Sequence, residues 1–469
     1  MEFILFLIIL TSILVYYYVR KYKNRDLNTV AFFHPDCLSG GGGERVLWVC
    51  ISSLIKYSKV NVIVYCDQKS VTTTDSSIIL EKVKDMFGIE IVTHRLTITP
   101  IHFASILKAS NYPVCTLLFQ TLASILVSFN VIITFLKNRP NVIIDTSGYS
   151  VIILSLKFFS GMKSIQYVHY PFITDIMIGQ SKSCENSYNH SKFVSSSSIL
   201  RQCKHVYLNL LYRLYSISYN CSLCIFANGT WTYQHLKKIL HPLHSNLKIL
   251  YPPVPAQTFI SKSKKMNNES FNVIYVAQFR LEKNHLCVLE AWSFFIKKFQ
   301  NKFTKELCLK LVGGAKIEHH FKILRVLKEK CIELNISKSV QFLVNLDHID
   351  FVNVLISSNV SIHAMKEEHF GIGIVESMAA GVPVIAHNSG GPKLDIICEN
   401  QNKNDICGKL AVQPEEYAEC LFNYYHMNNS QLDVIISNAR NKSLKFDDNI
   451  FIRNFIQNIN DIFNIGIQL

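Results

Sequence analysis

Residues 368–384 read EHFGIGIVESMAAGVPV, and this stretch decides the fold. Two glutamates, Glu368 and Glu376, stand eight positions apart around a glycine-containing turn. The apolar run at 374–380 predicts the first turns of a helix that carries Glu376, and Glu368 is predicted at a strand end. A glycine turn between strand and helix lets backbone N–H groups approach an anion, and a carboxylate there can accept two hydroxyl hydrogen bonds from a sugar. Two solvated surface glutamates would explain neither the glycines nor the apolar surroundings.

Short β-branched runs alternate with helical patterns on both sides of this stretch. The runs lie at residues 28–33, 60–65, 89–92, 141–144, 163–168, 223–227, 272–277, 307–312, 340–343, 360–364 and 382–386. This alternation predicts parallel strands joined by crossover helices. Prolines at 252–255, followed by a polar stretch, predict a linker over 251–270. We therefore expect an α/β fold of two doubly wound, Rossmann-like domains, 26–250 and 271–469, with ligands in a central cleft at the carboxyl ends of the strands.

Composition narrows the class of protein. A length of 469 residues excludes a single small binding module and suits a two-domain enzyme. Hydrophobic residues make up 49% and charged residues 17%, which excludes intrinsic disorder and is consistent with membrane contact. The formal charge of +14 favours an anionic partner, but it does not choose among phosphate, nucleotide and lipid headgroups. The 14 cysteines are scattered through a long chain without disulfide-scaffold spacing, so we predict reduced thiols.

The amino terminus predicts the topology. Residues 3–19 form an uncharged apolar run about long enough to cross a bilayer, and a basic cluster follows at 20–25. Glu2 before the run and tyrosines within it favour a retained transmembrane anchor, 1–25 with its basic flank, over a cleaved signal peptide. The positive-inside rule then places the rest of the chain in the cytosol.

Two more segments bear on membrane contact. Residues 116–136 are also uncharged, but polar side chains dilute them, and we expect a buried or membrane-surface helix there. For the aromatic and basic segment 205–219, a membrane-interface helix and a plain core helix both remain open.

Glycines are scarce and clustered. Eleven of the 18 glycines fall at 40–43, at 313–314 and at Gly371, Gly373, Gly381, Gly390 and Gly391. The first cluster follows a strand and precedes a predicted helix at 44–55, yet it lacks both the Gly-Lys-Ser/Thr of a P-loop and the third glycine of a dinucleotide fingerprint. It predicts a phosphate cradle of another kind, with a flexible turn as the alternative.

Taken together, these motifs resemble the retaining, two-domain (GT-B) glycosyltransferases of family 4. Within that family, similarity to the dolichol-linked oligosaccharide α-1,2-mannosyltransferases rests on five further runs. These are HP at 34–35, GGGGERVL at 40–47, YVHYP at 167–171, AQFRLEKNH at 277–285 and HNSGGP at 387–392. The resemblance implies GDP-mannose as donor, a dolichyl-diphosphate-linked oligosaccharide as acceptor, and a single-pass protein of the endoplasmic reticulum membrane whose catalytic domains are cytosolic.

The resemblance also implies roles for individual residues. Glu376 matches the residue that holds the nucleotide ribose, Glu368 the residue beside the donor sugar and its phosphate, and Lys283 the residue that neutralises the diphosphate. Many family members carry an arginine where this chain has Gln278, and we expect Arg280 to take its place.

The remaining expected site residues come from both domains. His169 matches the histidine that faces the transferred sugar, although a lone histidine near a strand end is more often structural. The donor-binding set is completed by Gly41, Gly42, Gly43, Phe370, Gly371 and Ile372. The family mechanism needs no separate carboxylate base, and the sequence has no Asp-x-Asp motif, so we predict neither a metal nor a cofactor.

Two rival functions remain open from the sequence. One is another endoplasmic-reticulum GT-B enzyme, such as the transferase that adds N-acetylglucosamine to phosphatidylinositol. The other is an inactive, membrane-anchored scaffold subunit that binds a nucleotide sugar. We expect no nucleic-acid partner, and a complex with other early-pathway mannosyltransferases.

Overall fold

The computed structural model describes residues 26–69, 75–112, 114–135, 139–173, 175–180, 198–240, 246–262, 269–397 and 405–463. The predicted anchor at 3–19 and its basic flank lie outside these residues, so both stay predictions. The chain divides into two compact units. The first comprises the described residues of Met1–Asn228, Thr232–Leu250 and Arg453–Leu469, and the second those of Gly229–Trp231 and Tyr251–Ile452.

The first domain is built on a parallel sheet. Its strands are β1 (Asp26–Phe33), β2 (Asn61–Asp67), β3 (Leu96–Ile101), β4 (Pro140–Asp145), β5 (Lys163–Val168), β6 (Cys224–Ala227) and β7 (Leu247–Ile249). Its helices are α1 (Gly42–Tyr57), α2 (Ser76–Phe87), α3 (Thr116–Thr134), α4 (Ser150–Ser160), α5 (Asp175–Gln180), α6 (Ser198–Asn220) and α7 (Thr230–Ile239). The strand order is β3-β2-β1-β4-β5-β6-β7, so the winding direction reverses between β1 and β4.

The second domain repeats this plan. Its strands are β8 (Ser270–Val276), β9 (Glu306–Gly313), β10 (Val340–Val344), β11 (Val360–His363), β12 (Val384–His387) and β13 (Lys409–Ala411). The helices that follow in chain order are α8 (Ala256–Ile260), α9 (His285–Phe299), α10 (Glu318–Glu333), α11 (His348–Ile356), α12 (Ile372–Ala379), α13 (Pro414–His426), α14 (Asn429–Ser443) and α15 (Asp448–Phe463). The part of α15 from Arg453 onward belongs to the first unit. The order β10-β9-β8-β11-β12-β13 reverses between β8 and β11, which makes their carboxyl ends the expected ligand site.

The central strands are apolar because helices cover both faces of such sheets. In β4 every residue is buried, and in β1 the run Val30–Phe33 is at most 1% exposed. Consecutive apolar residues, rather than alternating ones, therefore mark these strands in the sequence.

One expected strand is wrong. The run 89–92 is irregular, and the third strand is instead β3, which contains Pro100. Proline cannot donate to a strand ladder, but β3 is an edge strand, where a missing donor is tolerated. The short edge strands β7 and β13 were not expected, because three residues give too little pattern to recognise.

Residues Thr116–Thr134 of the apolar segment form helix α3. Among the described residues, it is the one helix that is long and apolar enough to cross a membrane by length and composition. One side of α3 is buried with residues of β1 and β2, and the Gln120 side chain donates to the backbone oxygen of Leu107 at 2.7 Å. The expected helix is therefore confirmed and is buried on one side, while contact of the other side with a membrane stays a prediction.

Candidate functional site

Two neighbouring strands of the second domain end at its topological switch point. β8 ends at Val276 and β11 at His363, and the two strands pair in parallel. The short helical turn Leu281–Lys283 follows β8, and the loop bearing Glu368 follows β11. The topology therefore brings Lys283, His363 and Glu368 to the same end of the sheet, where open α/β sheets bind ligands.

Glu368 is a buried carboxylate with two basic partners. Its Oε2 lies 2.6 Å from Lys283 Nζ and 3.3 Å from His363 Nε2. The side chain of Glu368 is 13% exposed and that of Lys283 is 23% exposed. Burial alone would raise the pKa of the Glu368 carboxyl, but Lys283 and His363 stabilise the charged form, and the net direction is well below the usual value. The site therefore holds a fixed negative charge beside a cation that solvent can reach.

The backbone of Glu368 is held by the HNSGGP loop. The N–H of Gly391 donates to the carbonyl oxygen of Glu368 at 2.7 Å. Gly390 has a φ of 59°, and a Cβ built there would lie 2.3 Å from the same oxygen. A glycine at 390 is therefore required both for its left-handed conformation and for the close approach to Glu368. This contact joins the two motifs in the folded protein.

Around β1 and β4 of the first domain, a second buried carboxylate has a histidine partner. Oε2 of Glu44 accepts from the Gly41 N–H at 2.7 Å, and its Oε1 lies 3.5 Å from His34 Nε2. His34 follows β1 and its Nδ1 lies 2.9 Å from the hydroxyl of Thr146, which follows β4. Burial acts to raise the pKa of Glu44, yet the contact with His34 and the backbone N–H groups lower it overall. These contacts fix the glycine loop at the start of α1.

His169 lies directly against this glycine loop. A Cβ on Gly43 would lie 3.4 Å from His169 Nε2, so the imidazole covers the first turn of α1. The His169 ring packs on Tyr167 at 4.8 Å between centroids, and the His169 carbonyl oxygen accepts from the Asn228 side chain at 3.0 Å. The structure therefore brings together the predicted first-domain residues, Gly43 and His169.

Comparison with known proteins decides the family. Residues 27–240 match the family described as ALG11 mannosyltransferase N-terminus, and residues 256–442 match that described as glycosyl transferases group 1. A Homo sapiens protein named GDP-Man:Man(3)GlcNAc(2)-PP-Dol alpha-1,2-mannosyltransferase is 32% identical over 445 residues, covering 94% of this chain and 88% of its own. The Xenopus tropicalis protein of that name is 34% identical over 437 residues, covering 92% and 87%.

The chain belongs to this mannosyltransferase family. It is therefore a glycosyltransferase, and the family resemblance drawn from the sequence motifs is confirmed.

Solved structures show the fold of this mannosyltransferase. Anabaena HepE in complex with UDP is similar with a TM-score of 0.61 at 14% identity, covering 92% of this chain and 100% of that one. Sucrose-phosphate synthase from Thermosynechococcus elongatus has a TM-score of 0.64 at 15% identity, covering 93% and 99%. The expected GT-B fold, with two parallel α/β sheets, is confirmed.

Other predicted donor-binding residues of the mannosyltransferase lie on or beside helix α12. Glu376 is half-buried on this helix, and Gly371 stands just before its first residue, Ile372. Phe370 is buried, with its ring packed on Tyr251 at 5.7 Å between centroids. The Arg280 guanidinium is 49% exposed and lies 3.9 Å from Glu282. The ligands of these residues stay predictions.

The structure adds three residues that the sequence did not assign to the site: His363, His34 and Glu44. His363 lies next to the carboxyl end of the predicted strand 360–364, which is the one signal that could have selected it. His34 and Glu44 stand inside the quoted motifs, but their contact through Gly41 depends on how the loop folds. Among the described residues, no group of three or more His, Cys, Asp and Glu side chains is placed to hold a metal ion.

Proposed function

We propose that this chain transfers mannose from GDP-mannose to a dolichyl-diphosphate-linked oligosaccharide, forming an α-1,2 linkage with retention of configuration. The observation that carries the proposal is the buried Glu368, held between Lys283 and His363 at the switch point of the second domain. Membership of the mannosyltransferase family selects the donor and the acceptor among the substrates that such a site could take.

The charges at the site suit the loss of a nucleoside diphosphate. As the bond from mannose to phosphate breaks, positive charge develops on the sugar and negative charge on the leaving phosphate. We assign Glu368 to the sugar side and Lys283 with Arg280 to the phosphate side. A diphosphate at Lys283 would replace part of its ion pair with Glu368.

The two remaining groups of residues keep their expected roles in this proposal. Glu376 accepts hydrogen bonds from the ribose hydroxyls, next to the glycine turn that precedes α12. In the first domain, Gly41, Gly42 and Gly43 provide a close backbone approach, and His169 faces the transferred sugar. The Gly41 N–H donates to Glu44, so a phosphate would compete with that carboxylate for it.

We further propose that the enzyme acts on the cytosolic face of the endoplasmic reticulum membrane. The anchor at 1–25 would hold it there, and exposed apolar side chains of the first domain support a second contact. On α3 these side chains form an apolar stripe, which consists of Leu118, Phe119, Leu122, Leu126 and Ile133. Their spacing places all five within about a 100° arc of the helix.

Helix α6 presents a second exposed apolar face next to α3. Val206, Leu210 and Ile217 are more than half exposed, and Arg213 lies on the same face. The Leu118 N–H donates to the Tyr207 hydroxyl at 2.9 Å, so the two helices are neighbours. Apolar side chains flanked by a basic residue suit a surface of anionic lipids.

Transfer assays test the proposed activity. The full-length chain is incubated with GDP-mannose or UDP-N-acetylglucosamine and with a lipid-diphosphate-linked Man3GlcNAc2 acceptor or phosphatidylinositol. We expect a mannosylated product, cleavable by an α-1,2-mannosidase, only from GDP-mannose and the oligosaccharide acceptor. Product from UDP-N-acetylglucosamine, or binding of GDP-mannose without any turnover, would contradict the proposal.

A further inference from the structure

His363 is a buried histidine beside Glu368 to which the sequence motifs give no role. Its side chain is 7% exposed, and its Nε2 lies 3.3 Å from Glu368 Oε2. Its Nδ1 is buried and has no hydrogen-bond partner among the described residues. A carboxylate can only accept, so the proton of this contact belongs to Nε2. The Nε2–H of His363 is therefore the group that faces Glu368.

Lys283 and His363 contact the same oxygen of Glu368, but they differ in how firmly they are held. His363 ends a central strand, its ring meets Tyr275 edge-on at 6.1 Å, and its carbonyl oxygen accepts from the Tyr417 hydroxyl at 3.1 Å. Lys283 reaches the same carboxylate through a long, flexible side chain that is 23% exposed. The histidine is therefore the fixed partner of Glu368, and the lysine is the partner that can turn to a ligand.

We propose that His363 is a positioning residue that keeps the Glu368 carboxylate in place when Lys283 turns to the donor diphosphate. This inference rests on the proposed function, because only a diphosphate ligand draws Lys283 away. Without His363, donor binding would leave the Glu368 carboxylate without a fixed partner. Its orientation matters most in the next step, when charge develops on the transferred sugar. His363 touches neither donor nor acceptor in this proposal, and it acts through Glu368 alone.

Two substitutions separate the hydrogen bond from the packing. His363→Leu introduces an apolar side chain of similar size and removes the N–H that faces Glu368. His363→Gln instead places an amide N–H near the position of Nε2. For the full-length enzyme we expect His363→Leu to lower kcat about tenfold, as for loss of one hydrogen bond to a charged group. We expect KM for GDP-mannose to change by less than about twofold and His363→Gln to retain most of kcat.

The decisive measurement repeats His363→Leu in a Glu368→Gln background. If His363 acts through Glu368, the second substitution costs less than about twofold there, because the charge that it positions is gone. A tenfold loss in both backgrounds would overturn the proposal, and so would an unchanged kcat for His363→Leu. Thermal unfolding of each variant accompanies the kinetics. Should His363→Leu not fold, a His363→Gln variant that folds but loses more than tenfold in kcat would equally overturn it.

Glu368→Gln alone distinguishes this proposal from the function on which it rests. If that variant keeps the kcat of the wild type, the role of Glu368 is wrong and the proposal for His363 fails with it, whereas the proposed function fails only if the wild type itself gives no mannosylated product. If Glu368→Gln loses turnover while His363→Leu does not, the function stands and only the role of His363 is wrong.

Discussion

At the scale of single residues, both domains use a buried histidine to hold a buried carboxylate. His363 contacts Glu368 at the end of β11, and His34 contacts Glu44 just after β1. In each case burial alone would raise the pKa of the carboxyl, and nearby donors and positive charge lower it. Each carboxylate then fixes the loop or cation next to it. In both domains, a histidine at or just after a strand end therefore sets where the carboxylate charge lies.

Glu44 offers a test of how this arrangement shapes the glycine loop. Glu44→Ala removes the acceptor of the Gly41 N–H at the start of α1, so we expect a loss of about 1 kcal/mol in the free energy of unfolding. Glu44→Gln retains an acceptor oxygen and should lose less. Urea denaturation of both variants measures the difference. Equal stability of the alanine variant and the wild type would show that this contact does not hold the loop.

His285 gives a prediction about pH. It is buried against Phe279, with ring centroids 5.1 Å apart, and burial lowers its pKa to about 4. Below pH 6.5 this histidine is therefore protonated in the unfolded chain but stays neutral in the folded protein down to about pH 4. Its contribution to the free energy of unfolding is complete above pH 6.5 and is lost as the pH falls towards 4. His285 alone accounts for about 3 kcal/mol of this loss. His285→Gln should flatten the dependence between pH 6.5 and 4, measured by urea denaturation. An unchanged slope would contradict it.

At the scale of elements, most strands and the site loops could be predicted from the sequence, because central strands are continuous apolar runs. Strand β3 was not predicted, because Pro100 indicates the end of a strand. Proline is acceptable there only because β3 lies at the edge of the sheet. The role of His34 could not be predicted from the sequence for another reason. Its partner Thr146 is 112 positions away, and only the pairing of β1 with β4 brings them together.

The apolar stripe on α3 yields a prediction at the same scale. Leu122→Asp with Leu126→Asp places two charges on a face that we propose to contact lipid, and each change removes an apolar side chain from that contact. The double substitution is made in the chain lacking residues 1–19, and binding to anionic vesicles is measured by sedimentation. We expect the affinity for the vesicles to fall at least about tenfold.

Leu286→Asp on α9 is the matched control, because Leu286 is a 40% exposed leucine of the second domain. It should leave vesicle binding unchanged. If the control weakens binding as much as the double variant, the stripe has no special part in membrane contact.

At the scale of the whole molecule, the proposed topology puts every described residue in the cytosol. Asn-x-Ser/Thr sequons for N-glycosylation begin at Asn228 and Asn335. Asn335 is exposed and is therefore a sensitive reporter of topology, whereas Asn228 is only 5% exposed and its side chain donates a hydrogen bond to the His169 carbonyl oxygen. We expect Asn335 to remain unmodified in cells, and protease added to sealed microsomes to digest the chain beyond the anchor. A glycan on Asn335, seen as an endoglycosidase-sensitive shift, would place the second domain in the lumen.

The central claim is that Glu368 and Glu376 serve different parts of a bound GDP-mannose. Glu376→Ala removes a ribose contact made in ground and transition states alike, so KM for the donor should rise with little change in kcat. Glu368→Ala removes a charge beside the reacting sugar, so kcat should fall about a hundredfold or more.

Steady-state kinetics with varied GDP-mannose, on variants shown to be folded, is the most direct test of this account. The account predicts a raised donor KM for Glu376→Ala and a lowered kcat for Glu368→Ala. Near-normal turnover and donor affinity in both variants would contradict it.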